Sequence, residues 1–189
     1  REIKRYVPDV SQKNLIATMN AGNIPSNVWV HDLEIGGGRI IGEACHLMDL
    51  LVHLSGSLIS SVCMSSMGSK PTEATDNCSI LLKFANGDNG VVNYFANGSK
   101  AYSKERVEIF FDEKVIVMDN FRETKAYGIK GFKKLKTKLD KGHRMQFDSL
   151  INYVQNGGET LIPFEQILNV SLASFAAIKS MKEGKWIHL

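Results

Sequence analysis

The run Ile35-Gly36-Gly37-Gly38-Arg39-Ile40-Ile41-Gly42-Glu43-Ala44-Cys45-His46-Leu47-Met48-Asp49-Leu50-Leu51-Val52-His53-Leu54 decides how the rest of the chain is read. At 3.6 residues per turn, Arg39, Gly42, Glu43, His46, Asp49 and His53 fall within about 120° of one another on a helical wheel. The rest of the circumference is mainly apolar: Ile40, Ile41, Ala44, Cys45, Leu47, Met48, Leu50, Leu51, Val52 and Leu54. A helix that apolar is buried, so its one polar stripe must face a partner, a cavity or a cofactor. The stretch 39–54 is therefore both the predicted core helix and the candidate site. Ser55-Gly56 stands in C-cap position behind it.

Upstream, residues 1–7 read as the end of a helix stopped by Pro8, and 15–19 as a short strand. Between that strand and the helix runs a loop, 20–35, rich in Asn, Gly and Pro and carrying Trp29, His31, Asp32 and Glu34. The chain opens without a Met and already in helical register (Ile3, Tyr6, Val7), as a piece of a longer protein would.

Downstream of Leu58 the apolar period changes from 3.6 to 2. Five strands are predicted, at 58–67, 78–84, 91–96, 107–111 and 115–118, and 120–127 adds one more. Turn-forming stretches such as Asn86-Gly87-Asp88-Asn89-Gly90 and Asp112-Glu113-Lys114 separate them. Connections this short join antiparallel neighbours, since a parallel pair needs a crossover of roughly a dozen residues or more. The basic stretch 130–141 reads as a solvated face or loop. Helices follow at 146–154 and 164–181, the latter opened after Pro163 and ended by Gly184, and 186–189 is a closing strand.

Helix, strands, then helices is the pattern of an α+β domain: a mainly antiparallel β-sheet with helices packed on one face. Its other face is available for oligomerisation. With Val92, Tyr94, Ile109 and Phe111 assigned to that uncovered face, a homodimer through the sheet is the simplest expectation.

Composition narrows the function classes. A chain of 189 residues with 43% hydrophobic and 23% charged content is an ordinary globular domain, long enough for one core. A net charge of +3 is too mild for a nucleic-acid footprint. Cys45, Cys63 and Cys78 are odd in number with no CxxC spacing, which suggests neither a disulfide framework nor a zinc knuckle and fits a cytoplasmic location. No apolar run reaches the ~20 residues of a membrane span. The sequons Asn97-Gly98-Ser99 and Asn169-Val170-Ser171 carry no weight, since the second lies in a helical pattern.

On the residues alone, the role of His46 is open between a helix-packing or orienting contact with Asp49 and general acid/base chemistry. A metal site of His46, Asp49 and His53 departs from the HExxH spacing, and no metal is expected. Gly36-Gly37-Gly38-Arg39-Ile40-Ile41 fails the GxGxxG test at its last position, so no cofactor-binding residue is assigned in this chain.

The stretch Trp29-Val30-His31-Asp32-Leu33-Glu34-Ile35-Gly36-Gly37-Gly38 with the helix that follows is similar to the C-terminal domain of the Gfo/Idh/MocA oxidoreductases. The likeness continues in Thr75-Asp76-Asn77 heading a strand, Phe84-Ala85-Asn86-Gly87 ending it, and Pro163-Phe164-Glu165 opening the last helix. Within the family it most resembles the form fused behind a zinc-type alcohol dehydrogenase-like region and associated with bacterial surface polysaccharide genes.

The resemblance implies an N-terminal Rossmann domain that binds NAD or NADP and carries a catalytic Lys, absent from this chain. It makes 1–189 a single substrate-binding and oligomerisation domain, with 1–12 the remnant of the linking helix. The family's catalytic His maps to His46, and its acidic residue, four positions earlier, to Gly42; Glu43 is the candidate substitute. The Arg that often follows the family's Trp is Val30. The expectation is thus an NAD(P)-dependent oxidoreductase domain for a sugar or nucleotide sugar, with His46 and Glu43 catalytic and Trp29, His31, Asp32, Arg39 and Asp49 binding substrate. The alternative is a non-catalytic carbohydrate-binding or scaffold domain on the same fold, and Gly42 is the feature in its favour.

Overall fold

The alternating stretch beyond residue 58 builds a sheet, and the structure, a computed structural model, describes it within residues 3–189. Arg1 and Glu2 of the predicted N-terminal helix end lie outside the described residues; Ile3–Tyr6 forms a single 3-10 turn. Among the described residues nine strands share one sheet: β1 (Asn14–Asn20), β2 (Ile59–Ser66), β3 (Asn77–Phe84), β4 (Asn89–Phe95), β5 (Glu105–Phe111), β6 (Lys114–Asp119), β7 (Glu123–Tyr127), β8 (Lys134–Lys136) and β9 (Ile187–His188). Their order across the sheet is β8-β7-β6-β5-β1-β4-β3-β2-β9. Three α-helices accompany it: α1 (Cys45–Ser55), α2 (His143–Asn156) and α3 (Phe164–Glu183). The fold is the expected α+β class, with every paired neighbour antiparallel except one.

That exception is β1. It inserts between β4 and β5, parallel to the first and antiparallel to the second, so Thr18 stands opposite both Asn93 and Arg106. β4 and β5, adjacent in sequence among the strands, are therefore not neighbours in space, and the connection 96–104 passes over the end of β1. The basic stretch read as a loop holds β8, paired with β7, and Phe132 beside it is buried and stacked on Tyr6 at 4.6 Å.

The placement of the uncovered face requires a correction. Val92, Tyr94, Ile109 and Phe111 are all buried in the main core, on the side that also receives α1 and α3. Their alternate neighbours Val91, Asn93, Phe95 and Phe110 occupy the other face, with Leu81 and Phe110 there 40% and 38% exposed. The phase is set by tertiary packing: in β4 both alternating sets contain apolar residues, so period 2 alone does not choose a side. In β5 the charges mark it, since Arg106 and Glu108 pair at 3.0 Å on the open face.

α1 lies across the sheet on Leu47, Met48, Leu51 and Val52, packed against α3 and β1. Gly56 ends it in the left-handed conformation (φ 77°), its N–H donating to the Val52 carbonyl at 2.9 Å. A buried charge cluster fixes this end. Asp88, in the β3–β4 turn, accepts hydrogen bonds from the Lys13 backbone N–H (2.9 Å), from Ser55 Oγ (2.6 Å) and from Lys13 Nζ (3.4 Å). Both charged side chains are fully enclosed, and Lys13 Nζ also donates to the Ser11 carbonyl at 2.7 Å. Because each ion is paired and further hydrogen-bonded, the cluster meets the condition for tolerated charge burial and ties the segment before β1, the end of α1 and the β3–β4 turn together.

α3 is held to β2 by Asn169, whose amide donates to the Ile59 carbonyl and accepts from the Ile59 N–H, both at 2.9 Å. α2 stands apart: Phe147, Ile151 and Val154 are exposed along it.

Candidate functional site

The predicted helix does not begin as a regular α-helix. Ile40–Ala44 is a turn of π-helix, and α1 proper starts at Cys45. A π turn inserts an extra residue into the helical repeat, and such bulges are frequent at functional sites. The regular wheel therefore fails at its first turn. Arg39 is only 3% exposed, directed inward, whereas Gly42, His46 and His53 lie on the exposed side and Glu43 and Asp49 are half-buried.

Beneath the π turn is a closed ring of three side chains. Arg39 Nε–H donates to Tyr94 Oη at 2.7 Å, the Tyr94 hydroxyl donates to Glu43 Oε2 at 2.5 Å, and Arg39 Nη2–H donates to the same oxygen at 2.7 Å. The guanidinium also lies over the Tyr94 ring, 5.4 Å from its centroid. Lys104, at the end of the β4–β5 connection, approaches the other carboxylate oxygen at 3.4 Å. The sequence reading puts Tyr94 on the uncovered face and gives Lys104 no role; nothing local in the sequence joins either to Glu43, which is 51 residues from one and 61 from the other.

The ring sets the charge states. Burial works against an ionised Glu43, but the Tyr94 hydrogen bond and the Arg39 and Lys104 charges together hold its pKa below the ordinary carboxylate value. Tyr94 is pushed up, first by burial and then by the neighbouring carboxylate, so it stays a donor. Asp49 moves the opposite way to Glu43: burial raises its pKa, against the pull of His53 and His46. His53 is lowered, by burial and by Lys4.

His46 follows Glu43 by three residues and is exposed. His53, further along, borders an open groove of about 960 Å³ between α1 and the 141–162 segment, lined also by Lys141, Met145, Ser149, Tyr153 and Ile162. Among the described residues no three His, Cys, Asp or Glu side chains come together as a metal site. Cys78 has its thiol pushed up to about 12 by burial and by Asp76, and burial raises Cys45 as well.

The remaining candidates serve the loop before the helix. Asp32 Oδ1 accepts from the Glu34 and Ile35 N–H groups at 2.8 and 3.0 Å, and its carbonyl accepts from Gly36 N–H at 2.8 Å. His31 Nε2–H donates to the Ile24 carbonyl at 3.2 Å, and its ring faces a separate hollow with Pro25, Ala74 and Asp76. Trp29 is 61% exposed at the tip of its own 3-10 turn. Among the described residues, no hydrogen bond or ion pair links these three residues to His46.

The same loop excludes a phosphate cradle. A Cβ at Gly36 would stand 2.5 Å from the Trp29 carbonyl oxygen, and Gly36 N–H is already spent on Asp32. Gly36 thus offers neither space nor an uncommitted N–H to a dinucleotide phosphate. At Gly42 there is more room: a Cβ would lie 3.4 Å from the Gly36 carbonyl oxygen.

Comparison with known proteins agrees with this architecture. Residues 14–117 match the family described as the GFO/IDH/MocA C-terminal domain. No match is found among curated proteins. Among solved structures, levoglucosan dehydrogenase in complex with NADH and levoglucosan superposes with a TM-score of 0.80 at 18% identity, over 98% of this chain and 62% of that one. An oxidoreductase domain protein from Kribbella flavida gives 0.79 at 17% identity, over 99% and 62%. The aldose-aldose oxidoreductase of Caulobacter crescentus, complexed with glycerol, gives 0.79 at 13%, over 100% and 59%. The chain spans about three fifths of the length of each of these proteins.

Proposed function

The chain belongs to the GFO/IDH/MocA family as its C-terminal domain, and on that premise we propose that it is the substrate-binding and dimerising half of an NAD(P)-dependent oxidoreductase acting on a sugar or nucleotide sugar. The observation that carries this reading is the exposed His46 one turn beyond a carboxylate, Glu43, held ionised by Arg39 and Tyr94. His46 exchanges a proton with the substrate hydroxyl, and Asp49, three residues on, orients it. Glu43 contacts substrate as a hydrogen-bond acceptor, since a carboxylate held below its ordinary pKa is a weak base.

NAD or NADP is held by a domain outside this chain, a reading supported by the match to the family's C-terminal domain alone. The fusion behind a zinc-type alcohol dehydrogenase-like region, the cytoplasmic location and the place in surface polysaccharide biosynthesis belong to the same proposal. Association through the open sheet face is supported by Leu81, Val91, Phe95 and Phe110 lying on it.

The test is the assay of the intact protein for NAD(P)H formation across a panel of aldoses, cyclitols and nucleotide sugars. Turnover with one of them supports the reading. A second reading, a non-catalytic carbohydrate-binding or scaffold domain, is favoured by the glycine at position 42, and it requires sugar binding with no cofactor reduction.

A further inference from the structure

The two oxygens of Glu43 are not equivalent. Oε2 receives both short hydrogen bonds, from Tyr94 and Arg39, while Oε1 faces Lys104 Nζ at 3.4 Å. That separation is well beyond the 2.7–2.9 Å typical of a charge-assisted N–H···O bond. A carboxylate oxygen can accept two hydrogen bonds and an ammonium offers three donors, so neither group is saturated by the other. Both reach the surface, at 28% and 47% side-chain exposure.

The Glu43 carboxylate and the backbone of Lys104 are nonetheless held in place. Glu43 is anchored through Oε2, and the backbone of Lys104 is clasped by Asn20 at the end of β1. Asn20 N–H donates to the Lys104 carbonyl at 2.8 Å and its side-chain amide to the Ser99 carbonyl at 2.7 Å, tying two points of the 96–104 connection to the sheet. Gly98 in that connection is packed so closely on Asn20 that there is no room for a Cβ beside Oδ1. Only the four-carbon arm of Lys104 is left to move.

We propose that Glu43 Oε1 and Lys104 Nζ form an acceptor–donor couple that grips two adjacent hydroxyl groups of a sugar ring, which makes Lys104 a specificity-determining residue of the site. The inference rests on the sugar reading above and deepens it. One hydroxyl donates to the carboxylate oxygen, its neighbour accepts from the ammonium, and the ring lies against the exposed side of the helix that carries His46. A monodeoxy ring lacking either hydroxyl leaves one charged partner unmatched, which is how such a couple discriminates.

The experiment is a ligand-observed NMR titration of the intact protein with D-glucose, D-galactose, D-mannose, levoglucosan, myo-inositol and D-glucuronate, alongside ¹³C spectra of the Glu43 carboxyl and the Lys104 Cε. The neutral sugar that binds is expected to move both ¹³C signals. Lys104→Met weakens it about tenfold or more, and Lys104→Arg by far less. Wild-type binding that leaves both signals unmoved, or that survives Lys104→Met unchanged, overturns the inference and leaves the sugar reading intact. Loss on Lys104→Met of glucuronate binding alone overturns it in favour of an anion contact. Binding of none of the probes overturns the couple, and the NAD(P)H assay with nucleotide sugars then decides the sugar reading by itself.

Discussion

Tyr94 and Glu43, 51 residues apart, meet at 2.5 Å beneath the π turn that opens the central helix, and both are bonded to the same buried Arg39. The contact locks the first turn of the candidate helix to strand β4.

Tyr94→Phe removes one hydroxyl and strands two partners. The buried Arg39 Nε loses its acceptor and Glu43 loses a donor, a cost of about 1–3 kcal/mol by the usual penalty for unmet buried groups. Urea unfolding at neutral pH checks it. The Glu43 carboxyl should at the same time titrate at a higher pH than in wild type, read by ¹³C NMR.

Asp88→Ala leaves the Lys13 ammonium fully enclosed without its carboxylate. Breaking a buried pair from one side typically costs about 3–5 kcal/mol. Thermal unfolding should show one of the largest single-residue losses in the chain, and a change of only a few tenths would show that the cluster is not the clamp described.

Asp49 and Glu43 give opposite pH signatures. The folded pKa of Asp49 is raised by burial, so its favourable contribution is present below the ordinary Asp pKa of about 3.9 and is lost as pH rises through the folded value. Asp49→Asn should therefore unfold at higher urea than wild type at pH 7, with the gain vanishing near pH 3.5. The folded pKa of Glu43 is lowered, so its stabilisation is present above the ordinary Glu pKa and lost as pH falls through the folded value. Glu43→Gln should be the less stable protein at pH 7 and draw level in acid.

Phe110→Glu places a charge on the open sheet face without touching the core, since Phe110 alternates with the buried Ile109 and Phe111. Light scattering after size exclusion should report a dimer for the wild-type intact protein and a smaller species for the variant. Equal masses would remove this face from the interface.

Much of the architecture was legible because it is periodic. The turn residues and the change from period 3.6 to 2 place β2 to β6 to within about two residues, while β7 begins three residues later than read, and Gly56 and Gly184 close their helices in left-handed conformations where only glycine is relaxed. What escaped is non-local. That β1 enters between β4 and β5 depends on pairing across 75 residues or more, as in Asn14 with Asn89. Period 2 does not fix the phase of β4, because Val92 and Tyr94 alternate with Val91 and Phe95, two sets of nearly equal hydrophobicity. The π turn hid the inward direction of Arg39, since a wheel assumes an unbroken repeat.

The site divides along the same line. Glu43, His46 and Asp49 are close in sequence, and the helical pattern brought them to one element. Tyr94, Lys104 and Asn20 come from other strands and loops, and no spacing rule reaches them. Asp32 and His31 also hydrogen-bond the backbone of their own loop, contacts that only the folded geometry reveals.

The most direct test is steady-state turnover of the intact protein with the sugar that the NAD(P)H assay identifies and the nicotinamide cofactor proposed above, wild type against His46→Ala. Loss of an acid/base group predicts a fall in kcat of roughly 10² to 10⁴-fold with folding unchanged, as expected for an exposed side chain. Undiminished turnover in the variant would contradict the role given to His46.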